Sequence, residues 1–264
     1  MLLAPLRLVD DAHTVQHKLA ATATFLDTWL MRRVINYTRV GYSSAAHAMF
    51  LLVKAIRGQP LSQLISILRD RLDKDGPTLT GDLKTGREGV HGLCLNQFSR
   101  RYIFHLLARL TAFTEVQSKQ PDRFPHCASR RRENTYDIEH LWPGRCPPDR
   151  AGFSSEEEYA TARRHVAALL LLPADVNRSL KDKPYAEKVA HRAHENLYAA
   201  SLSAEWNSHH PGFATLRQRS GFRFAPYATF GPAELRQRQA LVQQLVEQIW
   251  SPDRVGGAAP APSG

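Results

Sequence analysis

The sequence predicts a mainly helical protein that carries one short β-containing segment. Long stretches of the chain place apolar residues every three or four positions, which is the spacing of a helix with one buried face. Only two segments, both short, have the composition of strands, and no internal repeat is present. These observations favour a helical bundle with a small inserted β-structure. The predicted early helices are residues 14–37, 44–57, 61–72 and 96–117.

The ends of these helices are also marked in the sequence. The second stretch stops at Gly58, a residue that favours the conformation just after a helix. The third stops before Asp75, and residues 75–92 contain five glycines without periodicity, which predicts a loop. In residues 96–117, Phe98, Tyr102 and Leu106 are expected on one apolar face.

The second half of the chain begins with a change of composition. Residues 118–135 are polar and basic, which predicts a boundary between subdomains. Residues 136–141 and 168–173 suit strands, and Ser155 with Glu158 forms a capping box for a helix between them. We expect a helix capped by Asp182 that runs to about residue 200, and a terminal helix started by Pro232. The expected division is a helical subdomain (1–128), a core that contains the two predicted strands (129–204), a helical segment (205–250) and a disordered tail (251–264).

Charge and hydropathy limit the classes of function. The 264 residues include 35 Lys and Arg against 25 Asp and Glu, so the net charge is 35 − 25 = +10, which favours a polyanionic partner. The apolar runs are far shorter than the roughly 20 residues that cross a bilayer, and the N-terminus lacks the pattern of a secretory signal. We therefore expect a cytoplasmic protein without a membrane partner, and three reduced cysteines.

The stretch most suggestive of chemistry is residues 136–143, which contains Glu139 next to His140. A carboxylate is a ligand for a hard divalent cation, and an imidazole can accept a proton from water near neutral pH. Neighbours on a strand face opposite sides, so this pair can share a site only where the strand bends or ends, as Pro143 suggests. The amide of Asn177, from a separate element, would add another oxygen ligand.

These residues resemble a known family. The sequence from Asp137 to Pro143, the leucine-rich segment 169–173, Asn177 and the segment 183–188 resemble the C-terminal HNH nuclease domain of GmrSD-type, SspE-like, modification-dependent restriction endonucleases. Helical portions at 25–44, 95–113 and 196–202 are similar as well, so the resemblance covers most of the chain. The combined motif is specific, whereas Glu-His alone is a weak signal.

The resemblance implies a ββα-metal finger and a role for each motif residue. His140 would be the general base, and Glu139 and Asn177 would hold one Mg2+ or Mn2+ ion against the scissile phosphate. Many HNH domains carry a further Asn nine residues before the last one, which braces the loop that holds the His. This chain has Ala168 at that position, which puts the bracing in doubt.

Other charged residues can be interpreted either as functional or as ordinary surface residues. We expect DNA-backbone contacts from Arg178, Lys188 and the run Arg130, Arg131 and Arg132, although charge runs are commonly linkers and helix-face cations are commonly only solvated. Asp137 either orients His140 or is a surface charge. The pairs His191 with His194 and His209 with His210 have no carboxylate or Cys companion in sequence, so we expect no metal site at either pair. Trp142 is expected in the core or against the hairpin.

The leading hypothesis is a metal-dependent DNA endonuclease, the effector of a phage-restriction system, acting on double-stranded DNA, with a homodimer as the candidate assembly. Full-length members of the family usually begin with a ParB-like nucleotidase sensor, and no such motif is present here, so that sensor would be a partner domain or subunit. The first alternative is a nucleic-acid-binding or interaction domain with a decayed site, of which Ala168 is the first sign. The second is a ribonuclease toxin on the same scaffold.

Overall fold

In the computed structural model the chain is mainly helical, as predicted. The structure describes residues 1–128, 135–180, 182–192, 195–205 and 210–257, without the side chains of Tyr42, Ser44, Arg150, Arg178, Ser179 and Arg192. The chain divides into two compact units. The terminal unit comprises residues 1–92 and 246–264, and the central unit comprises residues 93–245.

The terminal unit contains three long helices close to the predicted ranges. They are α1 (Ala12–Ile35), α2 (Tyr42–Ile56) and α3 (Leu61–Lys74). Asp11 caps α1 by accepting a hydrogen bond from the backbone N–H of Thr14 at 2.7 Å, and Gly58 has a positive φ of 61° after α2. The core of this unit includes Phe25, Trp29, Leu52, Ile56, Leu64, Leu68 and Leu72.

The C-terminal segment corrects the expectation of a disordered tail from residue 251. A 3-10 helix spans Pro252–Arg254, and Val255 is fully buried in the core of the terminal unit. The Arg69 guanidinium donates to the carbonyls of Val255 (3.0 Å) and Asp253 (2.8 Å). Residues 251–257 are thus held by one buried apolar side chain and these hydrogen bonds, and residues 258–264 lie outside the described part of the chain.

The central unit contains the β-structure and the remaining helices. Two strands, β1 (Tyr136–His140) and β2 (Leu169–Pro173), form an antiparallel pair in which His140 lies opposite Leu169. The helices are α4 (Arg100–Gln117), α5 (Phe124–Ala128), α6 (Glu156–Arg164), α7 (Ala174–Leu180), α8 (Tyr185–Arg192), α9 (Leu197–Ala200), α10 (Pro211–Ser220) and α11 (Pro232–Ile249), the last of which ends in the terminal unit.

Local hydrogen bonds explain where the elements differ from the predicted ones. Helix α4 begins at Arg100 instead of residue 96 because the Asn96 side chain accepts from the backbone N–H groups of Phe98 and Ser99, which makes a turn. Phe98 is consequently 76% exposed instead of lying on the apolar face. Asn196 caps a separate helix α9, so the predicted helix up to residue 200 is two helices.

The compact units do not follow the expected boundary near residue 128. Helix α4 packs against β2 and α9, so residues 93–128 belong with the β-structure. The Glu115 side chain strengthens this association by accepting from the backbone N–H of Leu197 at 2.9 Å. No helix within the described residues is both long and apolar enough to cross a membrane.

Candidate functional site

The residues predicted to carry chemistry lie on β1 and on the helix that packs against the β-strand pair. β1 ends at His140, as Pro143 suggested, and Glu139 pairs with Leu170 of β2. One further ladder bond follows, from the backbone N–H of Leu141 to the carbonyl of Ala168 at 2.9 Å. Glu139 therefore lies on the regular part of the strand, and His140 is the residue at which the strand ends.

Asn177 approaches this strand from the helix that follows β2. α7 begins directly after Pro173, and it packs against both strands. The Asn177 side chain donates through Nδ2 to the carbonyl oxygen of Ile138 at 3.3 Å. The order β1, β2, α7 thus brings Asn177 to Ile138, the neighbour of Glu139. Asn177 and Ile138 are 39 residues apart in the sequence.

Glu139 forms an ion pair that the sequence did not predict. Its Oε1 accepts from Lys188 Nζ at 2.8 Å, and the same Nζ donates to the carbonyl of His140 at 3.3 Å. Lys188 is 1% exposed and Glu139 is 5% exposed. The carboxylate expected to hold a metal is therefore already beside a buried ammonium group on α8.

The loop after His140 is fixed by side chains from α6 and by Asp182. The Pro143 carbonyl accepts from Tyr159 Oη at 2.8 Å and from Arg163 Nε at 2.7 Å. Asp182 Oδ1 accepts from the backbone N–H of Gly144 at 2.8 Å, so Asp182 binds this loop instead of capping a helix as expected. These bonds hold the loop that follows His140 without an asparagine at position 168.

Trp142 anchors the same loop in the core. Its indole Nε1 donates to the carbonyl of Phe230 at 2.7 Å, and its ring contacts Phe153, Tyr159 and Phe230. Trp142 is 2% exposed, so it is a core residue, one of the two roles expected for it.

The donor set fits a divalent cation in chemical type. A carboxylate (Glu139) and an amide oxygen (Asn177) are ligands that Mg2+ or Mn2+ accepts, and the amide nitrogen of Asn177 is the atom that bonds to protein. The described residues contain no group of three or more His, Cys, Asp or Glu placed to hold a metal, so a site here would rely on this mixed set. The Lys188 ammonium on Oε1 would compete with the cation.

The residues expected to contact DNA have different outcomes. Arg130, Arg131 and Arg132 lie outside the described residues, as does the side chain of Arg178 on α7. The expectation for Lys188 is corrected, because an almost fully buried side chain paired with a carboxylate does not contact a DNA backbone at the protein surface.

Asp137 and the two histidine pairs are the remaining candidates from the sequence. Asp137 pairs with Arg100 at 2.5 Å with both side chains about half exposed, which favours the surface-charge interpretation over a role in orienting His140. His191 is exposed on α8 and His210 is half-buried, whereas their expected partners His194 and His209 are outside the described residues.

Sequence reasoning missed Tyr159, Arg163 and Asp182, and it misjudged Lys188. One signal was available for Lys188: it lies three residues after Tyr185, so both side chains lie on the same face of α8, and a buried aromatic makes that face the inner one. For the other three, the partners are backbone groups about 16 to 38 residues away, which no local pattern records.

No family model, curated protein or solved structure matches the chain. The features that bear on function are the geometry of the site, the charge of the chain and the sequence resemblance described above.

Proposed function

We propose that this chain is a metal-dependent endonuclease that uses residues at the end of β1 to cleave DNA phosphodiester bonds. The observation that carries the proposal is the β1, β2, α7 arrangement, in which a strand ends in Glu139-His140 and the following helix bonds Asn177 to the carbonyl of Ile138. The net charge of +10 supports a polyanionic substrate.

Each residue has a separate task in this reaction. His140 takes a proton from the water that attacks the phosphorus atom in line with the leaving 3′ oxygen, and the imidazole becomes an imidazolium. Glu139 and Asn177 would hold one Mg2+ or Mn2+ ion, which supplies charge to polarise the phosphoryl oxygen and stabilise the leaving group. Tyr159 and Arg163 hold the loop after His140, which limits the motion of the base.

The wider biological role belongs to the same proposal and rests on the resemblance. In that role the chain is the effector of a phage-restriction system, and a ParB-like nucleotidase domain or subunit recognises modified DNA. Comparing phosphorothioated, glucosylated and plain DNA, with and without such a partner, tests this part separately from the cleavage chemistry.

The decisive experiment is cleavage of supercoiled plasmid in the presence of Mg2+ or Mn2+. We expect nicked or linear product with the wild-type protein, none with His140→Ala, and unchanged cleavage with His47→Ala, which removes an exposed histidine of α2. Persistent supercoiled plasmid, or equal cleavage by His140→Ala purified in the same way, would overturn the proposal. A single-stranded RNA substrate in parallel distinguishes a ribonuclease.

A nucleic-acid-binding domain with an inactive site is the second candidate. The observation that favours it is the ion pair of Lys188 with Glu139, together with Ala168 in place of the bracing amide. This candidate predicts salt-sensitive DNA binding without cleavage and no stoichiometric Mn2+ binding in calorimetry. The nuclease instead predicts Mn2+ binding that Asn177→Ala abolishes.

A further inference from the structure

Arg238 on α11 is a buried cation distant in sequence from the candidate site residues. Its side chain is fully buried, and none of its three guanidinium nitrogens has a hydrogen-bond partner among the described residues. A guanidinium stays charged at every pH that a folded protein tolerates. A buried charge without a partner is among the most unfavourable features a core can contain, so the group requires compensation.

Two tyrosine hydroxyls of the same unit are also buried and unpaired among the described residues. Tyr198 on α9 is fully buried, with its ring centroid 4.6 Å from the Arg238 guanidinium carbon, and Tyr227 is nearly buried. Neither hydroxyl has a hydrogen-bond partner within the described part of the chain. The ring of Tyr198 offsets part of the charge through a cation–π contact, but it leaves the in-plane N–H groups unpaired.

The charge of Arg238 acts on both hydroxyls. Burial raises the pKa of Tyr198 and of Tyr227, and the Arg238 charge opposes that rise at both. Glu234 lies one helical turn before Arg238 and adds to the raised pKa of Tyr227, but its Oε2 accepts from the backbone N–H of Gly231 at 2.9 Å. Among the described residues no carboxylate forms an ion pair with Arg238.

We propose that Arg238, Tyr198 and Tyr227 form a binding site for a small inorganic anion of halide size inside the central unit. The groups available to the anion are the N–H groups of a positively charged guanidinium and two hydroxyls, each of which can donate one hydrogen bond. A water molecule would satisfy hydrogen bonds but would leave the charge uncompensated. A halide is a small anion without hydrogen-bond donors, which suits a site whose Arg238 and Tyr198 side chains are completely buried.

Bromide is the probe for this site, because it substitutes for chloride and scatters X-rays anomalously. The melting temperature of the full chain is measured at constant ionic strength while bromide replaces gluconate. We expect the wild-type Tm to rise by about 3 °C for each tenfold increase of bromide above its Kd. In crystals grown with bromide, an anomalous peak is expected within hydrogen-bond distance of the Arg238 guanidinium.

Variants connect the effect to these residues. Arg238→Met should lose the bromide dependence, whereas Arg236→Met, at an exposed arginine of the same helix, should retain it. If Arg238→Met does not fold, Tyr227→Phe should raise the half-saturating bromide concentration by about threefold to tenfold, the equivalent of one hydrogen bond. A wild-type Tm independent of bromide, or an equal bromide dependence in Arg238→Met, would each overturn the proposal.

Discussion

Lys188 Nζ lies 2.8 Å from Glu139 Oε1, and both side chains are almost completely buried. The same nitrogen bonds to the carbonyl of His140 at 3.3 Å, so one ammonium group contacts two consecutive residues at the end of β1. This pair connects the stability of the fold with the chemistry of the site. It leads to the first two predictions.

Removing Lys188 should destabilise the protein strongly. Lys188→Met leaves the Glu139 carboxylate buried without its cation, and we expect the free energy of unfolding to fall by about 3–5 kcal/mol. Urea denaturation measures the change. Lys183→Met, at a half-exposed lysine just before α8, is the matched control and should cost less than about 1 kcal/mol. The double variant Glu139→Leu with Lys188→Met should recover most of the loss, because no unpaired charge remains. Equal costs for the two single lysine variants would contradict this view of the pair.

Lys188 should also oppose cation binding at Glu139. A positive charge 2.8 Å from the carboxylate repels a divalent cation on the same group, so Lys188→Met should tighten Mn2+ binding by about tenfold. Titration calorimetry on the folded variant measures the affinity, and Glu139→Gln should weaken it. Unchanged Mn2+ affinity in Lys188→Met would show that the cation does not use this carboxylate.

Arg163 should act on catalysis through the loop after His140. Its Nε donates to the carbonyls of Pro143 (2.7 Å) and Trp142 (3.3 Å), so Arg163→Met removes charge-assisted bonds from that loop. We expect the plasmid cleavage rate to fall about tenfold with little change in DNA affinity, and partial recovery in Arg163→Lys.

Arg164→Met is the matched control for this prediction. Arg164 is exposed on the same helix, and its Nε bonds to the carbonyl of Ala160 within α6. Cleavage kinetics and fluorescence anisotropy with labelled DNA separate rate from affinity. If Arg163→Met and Arg164→Met cleave at the same rate, Arg163 does not position the site.

Tyr159 should make the protein less stable in alkali. Burial raises the pKa of Tyr159 to about 12, from an ordinary value near 10. Between these values the unfolded chain loses the phenolic proton while the folded chain keeps it, so the free energy of unfolding falls as pH rises from 10 to 12. Urea midpoints at pH 8, 10 and 11 should decline less steeply in Tyr159→Phe than in the wild type. Tyr37→Phe, at an exposed tyrosine, should decline as the wild type does.

The arginine run before β1 should contribute to DNA binding without sequence preference. Changing Arg130, Arg131 and Arg132 to Gln should weaken binding uniformly across DNA sequences and reduce the salt slope by about one for each lost phosphate contact. Far-ultraviolet circular dichroism should remain unchanged. A matched triple change of Arg219, Arg223 and Arg236, which are all exposed, controls for the loss of total charge. Equal weakening in both triple variants would assign the effect to net charge alone.

Much of the secondary structure was predictable because its causes are local. Helices α1, α2 and α3 follow the spacing of apolar residues, and β2 follows a short leucine-rich run that ends at a proline. Two helix boundaries were predicted wrongly, and both errors come from single side-chain hydrogen bonds. The Asn96 side chain delays the start of α4, and the Asn196 side chain starts α9. Asparagine side chains mimic backbone acceptors, so they move helix ends without changing the apolar pattern.

The sequence by itself determined the mainly helical class, the strand that ends at His140, and the set of His140, Glu139 and Asn177 as candidates for one site. Only the tertiary structure decided what surrounds them: Lys188 on Glu139, Tyr159 and Arg163 on the following loop, and Val255 in the terminal core. The physical reason is that apolar periodicity and strand endings are encoded within a few residues. The partner of a buried charge or carbonyl is instead chosen by whichever distant side chain the packed fold brings within 3 Å.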